Sequence, residues 1–252
     1  MKQNYRFTIR YDGTRYSGWE HQKNTDATIQ GKLESVLTRL CGYPITVIGA
    51  GRTDAGVHAL AMTANALLEA PNGQPPLNAE SVCNYLNTYL PEDIAVLEVS
   101  RASDRFHSRF NASGKTYRYT CYVGSSKPVF DRKYVAILDR QPALAPMEEA
   151  ASLLTGTHDY ASFCGNAHMK KSTVRTVDSI RINQKGELLT FTFHGDGFLQ
   201  NMVRILVGTL LDVGFGKTVA SDMPQILAAK TRSASGPMAP AQGLCLVSVD
   251  YN

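Results

Sequence analysis

Cysteine is scarce and poorly placed for any bridging role. The five residues, Cys41, Cys83, Cys121, Cys164 and Cys245, are odd in number, widely scattered and never set as a C-x-x-C pair. Neither a disulfide framework nor a thiolate zinc site is indicated, and a reducing cytoplasm is the expected setting. His158, Cys164 and His168 lie close in sequence, but their spacing fits no common zinc pattern, so no metal is expected. Long apolar runs are missing too. The longest, Phe198 to Phe215, is interrupted by Arg204 and Asp212 and falls short of a bilayer span, so it reads as a core helix and no membrane partner is expected. Residues Met1 to Tyr11 alternate, carrying Lys2, Arg6 and Arg10, and offer no apolar core of a secretion signal. Low-complexity tails are also lacking.

What is there is an ordinary globular composition. The chain has 252 residues, 43% hydrophobic and 19% charged, enough for one large domain or two small ones. Lys plus Arg number 26 against 22 Asp plus Glu, a net +4 with a pI near 8.7. That balance permits a polyanionic partner without requiring one.

Periodicity supplies the elements. Tyr5, Phe7, Ile9 and Tyr11 alternate with Arg6, Thr8 and Arg10, a first strand with one apolar and one basic face. From Thr28, a capping residue, Ile29, Leu33, Val36, Leu37 and Leu40 share a helical face that Gly42 ends. Asn78 opens a second helix bearing Val82, Tyr85, Leu86 and Tyr89, stopped by Pro91, and a strand follows at Ile94 to Val99. After the arginine-rich loop Arg101 to Arg109, Thr116 to Val123 alternates with Tyr117, Tyr119 and Cys121 on one face and Arg118, Thr120 and Tyr122 on the other.

The second half repeats the order: a helix at Met147 to Leu154, strands at Val174 to Ile182 and Leu188 to His194, helices at Leu199 to Val213 and Met223 to Ala229, and a last strand at Leu244 to Tyr251. The hairpin signal Gln184-Lys185-Gly186 and the lack of regular βα alternation predict an α+β fold with an antiparallel sheet, helices on one side and the other side open. The expected division is 1–123, a connecting segment 124–146 rich in Pro, Ser, Arg and Lys, and 147–252.

One segment has the composition of a site. Gly49-Ala50-Gly51-Arg52-Thr53-Asp54-Ala55-Gly56-Val57-His58-Ala59 holds one carboxylate in a glycine-punctuated loop, with a cation two positions before it and an imidazole four after. Three glycines let the backbone take positive φ and approach a ligand. An anion-binding nest, a calcium loop, half an aspartic-protease site and a plain tight turn compete for this pattern. A phosphate loop would carry Gly-Lys-Ser/Thr, a calcium loop oxygen ligands at alternate positions, and an aspartic protease a second Asp loop; none is present. A turn and a site remain.

Together with three later segments, this loop resembles the tRNA pseudouridine synthase A family along nearly the whole chain. The second segment is Phe106-His107-Ser108-Arg109-Phe110 through Lys115-Thr116-Tyr117-Arg118-Tyr119. The third is Phe198-Leu199-Gln200-Asn201-Met202-Val203-Arg204 with Gly208-Thr209-Leu210, and the fourth is Ala239-Pro240-Ala241-Gln242-Gly243-Leu244. Two places depart from the family pattern: Met62-Thr63 after the Asp loop, and Glu20-His21 after Trp19.

The resemblance implies a cofactor-independent isomerase acting as a homodimer. It would convert uridine to pseudouridine at positions 38, 39 and 40 in the anticodon arm of tRNA. The fold it implies is two ferredoxin-like, RRM-like halves whose sheets join into an extended mostly antiparallel sheet with helices on one side and a cleft between the halves. It carries Asp54 over as nucleophile, Arg204 as the cation that keeps a carboxylate ionised where water is expelled, and Tyr117 as the ring that holds the uracil and can take its C5 proton. Arg52 would fill the vacated stack or hold a phosphate beside an extruded nucleotide, with His58 on the substrate side. Arg10, Lys115, Arg118, Lys170, Lys171 and Arg175 would grip the RNA backbone.

Taken alone, several of these residues read more plainly: Arg204 as a snorkelling arginine or structural ion pair, Tyr117 as a sheet-face aromatic, His58 as a turn-stabilising imidazole, Lys170-Lys171 as a polar loop. The alternative from another class is a non-catalytic RNA-binding or tRNA-folding module. It is disfavoured because Asp54, Tyr117 and Arg204 are all present.

Overall fold

A computed structural model describes residues 2–71, 77–166 and 168–252. Two compact units result: Met1–Ser113 with Leu246–Asn252, and Gly114–Cys245.

The first unit runs β1 (Gln3–Tyr11), α1 (Ile29–Cys41), β2 (Ile48–Gly49), β3 (His58–Leu68), α2 (Ala79–Tyr89) and β4 (Ile94–Arg101). Most of β10 (Leu244–Tyr251) belongs here as well. The strands lie in the order β4-β1-β3, with β2 and β10 also beside β3; β1 pairs antiparallel with β3 and β4, and β2 antiparallel with β3. A β-α-β-β-α-β succession in that order is the ferredoxin-like arrangement. Alternation drives it: Tyr5, Phe7, Ile9 and Tyr11 are buried and Arg10 is exposed.

Local chemistry bounds the helices. The Thr28 hydroxyl accepts the Gly31 N–H at 3.2 Å to start α1, and Gly42 ends it at φ 78. Asn78 caps α2 through the Ser81 N–H at 2.7 Å. Two side-chain placements differ from the periodic expectation. Cys41 rather than Leu40 is buried at the end of α1. Tyr85 and Tyr89 leave the buried face of α2 and pair with ring centroids 4.5 Å apart, the Arg39 guanidinium 4.0 Å over Tyr89, because a cation on an aromatic face compensates the exposure.

The second unit contains β5 (Ala112–Tyr122), β6 (Ala136–Ile137), α3 (Leu144–Leu153), β7 (Gly156–Asp159), β8 (Val174–Lys185), β9 (Leu188–Gly195), α4 (Met202–Gly214) and α5 (Met223–Ala229). Its strands lie as β5-β9-β8-β7, antiparallel between β5 and β9, β9 and β8, and β8 and β7; β6 pairs parallel with β5. The β-α-β-β-α succession recurs as β5, α3, β8, β9, α4. Tyr119, Tyr160, Phe163, Phe191, Phe193 and nearly all of α4 form its core.

Boundaries shift for identifiable reasons. The expected break at 124–146 lies inside the second unit: β5 pairs with β9 and β6, and residues 246–252 fall in the first unit, where β10 runs beside β3. α3 begins at Leu144 rather than Met147, because Pro146 sits in the first turn, where a missing N–H costs nothing. α4 begins at Met202 rather than Leu199, because Asn201 takes the left-handed conformation (φ 60) and the Met202 N–H closes a turn on the Leu199 carbonyl at 3.1 Å. Among the described residues no helix is long and apolar enough to cross a membrane.

Candidate active site

Asp54 is half-buried in the turn between β2 and β3, and its loop is fixed by backbone fitting rather than by its own sequence alone. The Val57 N–H bonds the Asp54 carbonyl at 3.2 Å, and Gly56 supplies the positive φ of 78 that the turn needs. The segment 13–19 clamps this turn. The Trp19 N–H bonds the Thr53 carbonyl at 3.0 Å, the Gly56 N–H bonds the Tyr16 carbonyl at 3.3 Å, and the Tyr11 and Thr53 hydroxyls share a buried bond of 2.8 Å. Gly18, at φ 104, lies so close that a Cβ there would stand 2.7 Å from the Thr53 carbonyl oxygen. Trp19, 2% exposed, covers Gly49, where a Cβ would meet its ring at 2.5 Å. The product is a carboxylate on a short turn whose backbone has little room to move.

Two predicted neighbours of Asp54 have defined partners. Arg52 is exposed and forms an ion pair with Glu20, the residue at which the sequence departs from the family pattern. A pair this open to water contributes little stability. His58 is 6% exposed; its Nδ1 accepts the Gly13 N–H at 3.0 Å and lies 3.1 Å from Asp12 Oδ1. In this geometry the imidazole ties the turn after β1 to the start of β3. Arg10 is exposed on β1.

The other predicted residues belong to the second unit. Tyr117 on β5 is 7% exposed, opposite Phe193 on β9, with its ring edge-on to Phe198 at 5.3 Å and 85°. Arg204 stands on α4, half-buried. Its Nε donates to the Ala239 carbonyl at 2.8 Å, and the Ala239 N–H bonds the Arg204 carbonyl at 3.1 Å. Lys115 is half-buried, whereas Arg118, Lys170 and Lys171 are exposed; Arg175 is half-buried and caps its own loop through the Ser172 and Val174 carbonyls. Among the described residues no cluster of three or more His, Cys, Asp or Glu side chains could hold a metal ion.

The support of Arg204 is a strap, residues 236–240, that periodicity alone did not reveal. It crosses α4 where Gly208 leaves room: a Cβ there would lie 1.7 Å from the Pro237 carbonyl oxygen. The Thr209 hydroxyl accepts the Gly236 N–H at 2.9 Å and donates to the Ile205 carbonyl at 2.9 Å. The Tyr119 hydroxyl donates to the Pro240 carbonyl at 2.8 Å, and burial pushes that phenol well above its ordinary range. The available signal was compositional, a Gly-Thr pair four and five residues after Arg204 in an otherwise aliphatic helix.

Known proteins match the chain along its length. The tRNA pseudouridine synthase family pattern matches residues 8–111 and 150–252. The tRNA pseudouridine synthase A 2 of Bacillus cereus (strain ZK / E33L) is 42% identical over 248 residues, covering 98% of this chain and 99% of that protein. The tRNA pseudouridine synthase A proteins of Clostridium kluyveri and Acetivibrio thermocellus are 40% and 39% identical over the same coverage. Among solved structures, a chain of a Cbf5-Nop10-Gar1 complex aligns with TM-score 0.38 and 11% identity, over 96% of this chain and 49% of its own.

Proposed function

The chain belongs to the tRNA pseudouridine synthase family and is an isomerase of tRNA uridine; from that premise we propose that it acts at positions 38, 39 and 40 of the anticodon arm, with Asp54 as nucleophile. The observation that supports the nucleophile is the clamped turn: the backbone that carries Asp54 is held by Gly18, Trp19 and Gly56, which pre-positions the residue. Pre-positioning is what an attacking group needs.

Pseudouridine formation is an isomerisation. The C1′–N1 bond breaks, the uracil turns, C5 bonds to C1′, and the C5 proton leaves as N1 gains one. A carboxylate that attacks carbon, at C1′ or at C6, and then departs leaves that balance unchanged. In this scheme Arg204 is the cation that steadies the nucleophile's charge, with its Nε fixed by Ala239 so that the guanidinium has one orientation. Tyr117 holds the uracil by its ring and is the base for the C5 proton. Arg52 leaves Glu20 for the RNA when the target nucleotide is extruded. Arg10, Lys115, Arg118, Lys170, Lys171 and Arg175 hold phosphates, and the working form is a cytoplasmic homodimer without cofactor.

Transfer RNA tritiated at uracil C5 tests the scheme. Wild-type protein is expected to release tritium to water and Asp54→Asn to release none while still binding. Binding without release by the wild type would favour a non-catalytic RNA-binding module instead.

A further inference from the structure

The run Phe106-His107-Ser108-Arg109-Phe110 has no part in the scheme above, yet the structure invests heavily in it. Phe110 is 76% exposed. A lone exposed phenyl is unremarkable, but this one is stacked on the His107 imidazole, with centroids 4.1 Å apart and planes at 27°. The turn that stacks them is closed by five hydrogen bonds. The Phe110 and Asn111 N–H groups bond the His107 carbonyl at 3.1 and 3.0 Å, and the His107 N–H bonds Asn111 Oδ1 at 2.7 Å. His107 Nδ1 in turn accepts the Arg109 and Phe110 N–H groups at 3.2 and 3.3 Å.

The turn is bolted down at its centre. Ser108 is fully buried: its N–H bonds Asn65 Oδ1 at 2.9 Å, its hydroxyl donates to the Ile48 carbonyl at 2.5 Å, and its carbonyl accepts the Tyr251 hydroxyl at 2.6 Å. Asn65 donates to Asn4 at 3.1 Å, and Asn4 in turn bonds the Ser103 and Phe106 carbonyls at 2.9 Å each. Buried amides spent on shaping a loop are costly unless every bond is made, as these are. Ile48 belongs to β2, the strand that opens directly into the Asp54 loop, so the aromatic pair and the nucleophile share one root.

Its surroundings decide the kind of partner. Arg105 and Arg109 are exposed in the same loop, as is Arg101 at the end of β4, against Asp104, and the residue after Phe110 is an exposed Asn. Protein-docking surfaces gather contiguous apolar area; an exposed flat ring on a loop that also carries exposed arginines is how single-stranded nucleic acid is held, base on ring and phosphate on cation. We propose that His107 and Phe110 form a stacking platform for one unpaired base of the RNA substrate, with Arg105 and Arg109 on its flanking phosphates. The platform sets the distance from that base to Asp54 through the Ser108–Ile48 bond. This inference rests on the tRNA substrate of the previous section.

Full-length Phe110→Ala, Phe110→Leu and Phe110→Tyr proteins, checked for unchanged circular dichroism, test it by filter binding to unmodified tRNA. Alanine and leucine are expected to weaken binding about 5- to 150-fold, the range for losing one stacked base, and tyrosine to retain it. In the wild-type complex, ultraviolet cross-linking should attach RNA to the peptide containing Phe110. Wild-type affinity in Phe110→Ala, or in Phe110→Leu, would overturn the platform, the latter because leucine preserves apolar contact without a ring face. So would loss of self-association by Phe110→Ala in sedimentation, which would make the ring a contact between two copies. The two proposals fail separately. A wild type that binds tRNA but releases no tritium removes the chemistry and leaves the platform testable by affinity, while an active Phe110→Ala with unchanged affinity removes only the platform.

Discussion

Arg204 and Ala239 are joined twice, Nε to carbonyl at 2.8 Å and N–H to carbonyl at 3.1 Å, across 35 positions of sequence. A guanidinium can spend Nε on this anchor and keep its terminal nitrogens as a planar fork; an ammonium has one nitrogen for both tasks. Arg204→Lys is therefore expected to lower kcat at least about 100-fold while KM for tRNA changes about threefold or less, the pattern of an interaction made in the transition state. Steady-state tritium release measures both. Equal losses in kcat and affinity would take Arg204 out of the chemical step.

The strap offers a second handle. Glycine inside a helix is ordinarily a liability of about 0.5–1 kcal/mol relative to alanine, yet at Gly208 the added methyl would lie 1.7 Å from a backbone oxygen. Gly208→Ala is expected to destabilise the protein by about 1–3 kcal/mol, because the strap or the helix must shift. Thr209→Val, which leaves the Gly236 N–H without its acceptor, is expected to cost about 1–2 kcal/mol. Urea denaturation checks both. A Gly208→Ala protein more stable than wild type would mean that helix propensity outweighs the crossing.

What could be seen in the sequence follows the range of the interactions. α1 was legible from cap to cap because Thr28 and Gly42 act within one turn of the helix they bound, and β10 and α5 have periodic patterns that nothing distant contradicts. β6, two residues long, and β7, which reads Gly-Thr-His-Asp, carry no period to detect. β5 alternates clearly, but its membership in the second unit is decided by pairing with β9 some 70 residues later. The candidate site divides the same way. Glycine spacing exposed the Asp54 loop, whereas Gly18 and Trp19 press on it from 30 or more residues upstream, and the anchor of Arg204 lies on a strap with no period of its own.

Gly18 turns that long-range fit into a prediction. Alanine there meets two penalties, the strained φ of 104 and a methyl 2.7 Å from the Thr53 carbonyl oxygen and 3.2 Å from the Ala55 nitrogen. Gly18→Ala is expected to lose about 1–3 kcal/mol of stability and, since the displaced atoms flank Asp54, to reduce kcat as well. Thermal melts and tritium release, run below the lowered melting point, separate the two effects. Full kcat in a folded Gly18→Ala protein would show that the turn keeps its shape without the clamp.

Asp159 supplies a pH dependence. Its carboxylate accepts the Thr173 hydroxyl at 2.5 Å, the Lys230 ammonium at 2.9 Å and the Ala161 N–H at 3.2 Å, and these bonds, Thr173 foremost, hold the carboxyl below its ordinary range. A carboxyl that is more acidic folded than unfolded stabilises the fold fully above its unfolded value of about 4, and that contribution disappears as pH falls through the lower folded value. Lys230 is 61% exposed, so water screens its share and the total is about 1 kcal/mol. Asp159→Asn is expected to be less stable than wild type by that amount at pH 7 and to converge with it at a pH below the lowered folded value, in urea titrations at matched ionic strength. A deficit of the same size at both pH values would mean that the side chain acts through its shape and hydrogen bonds, with no contribution from its charge.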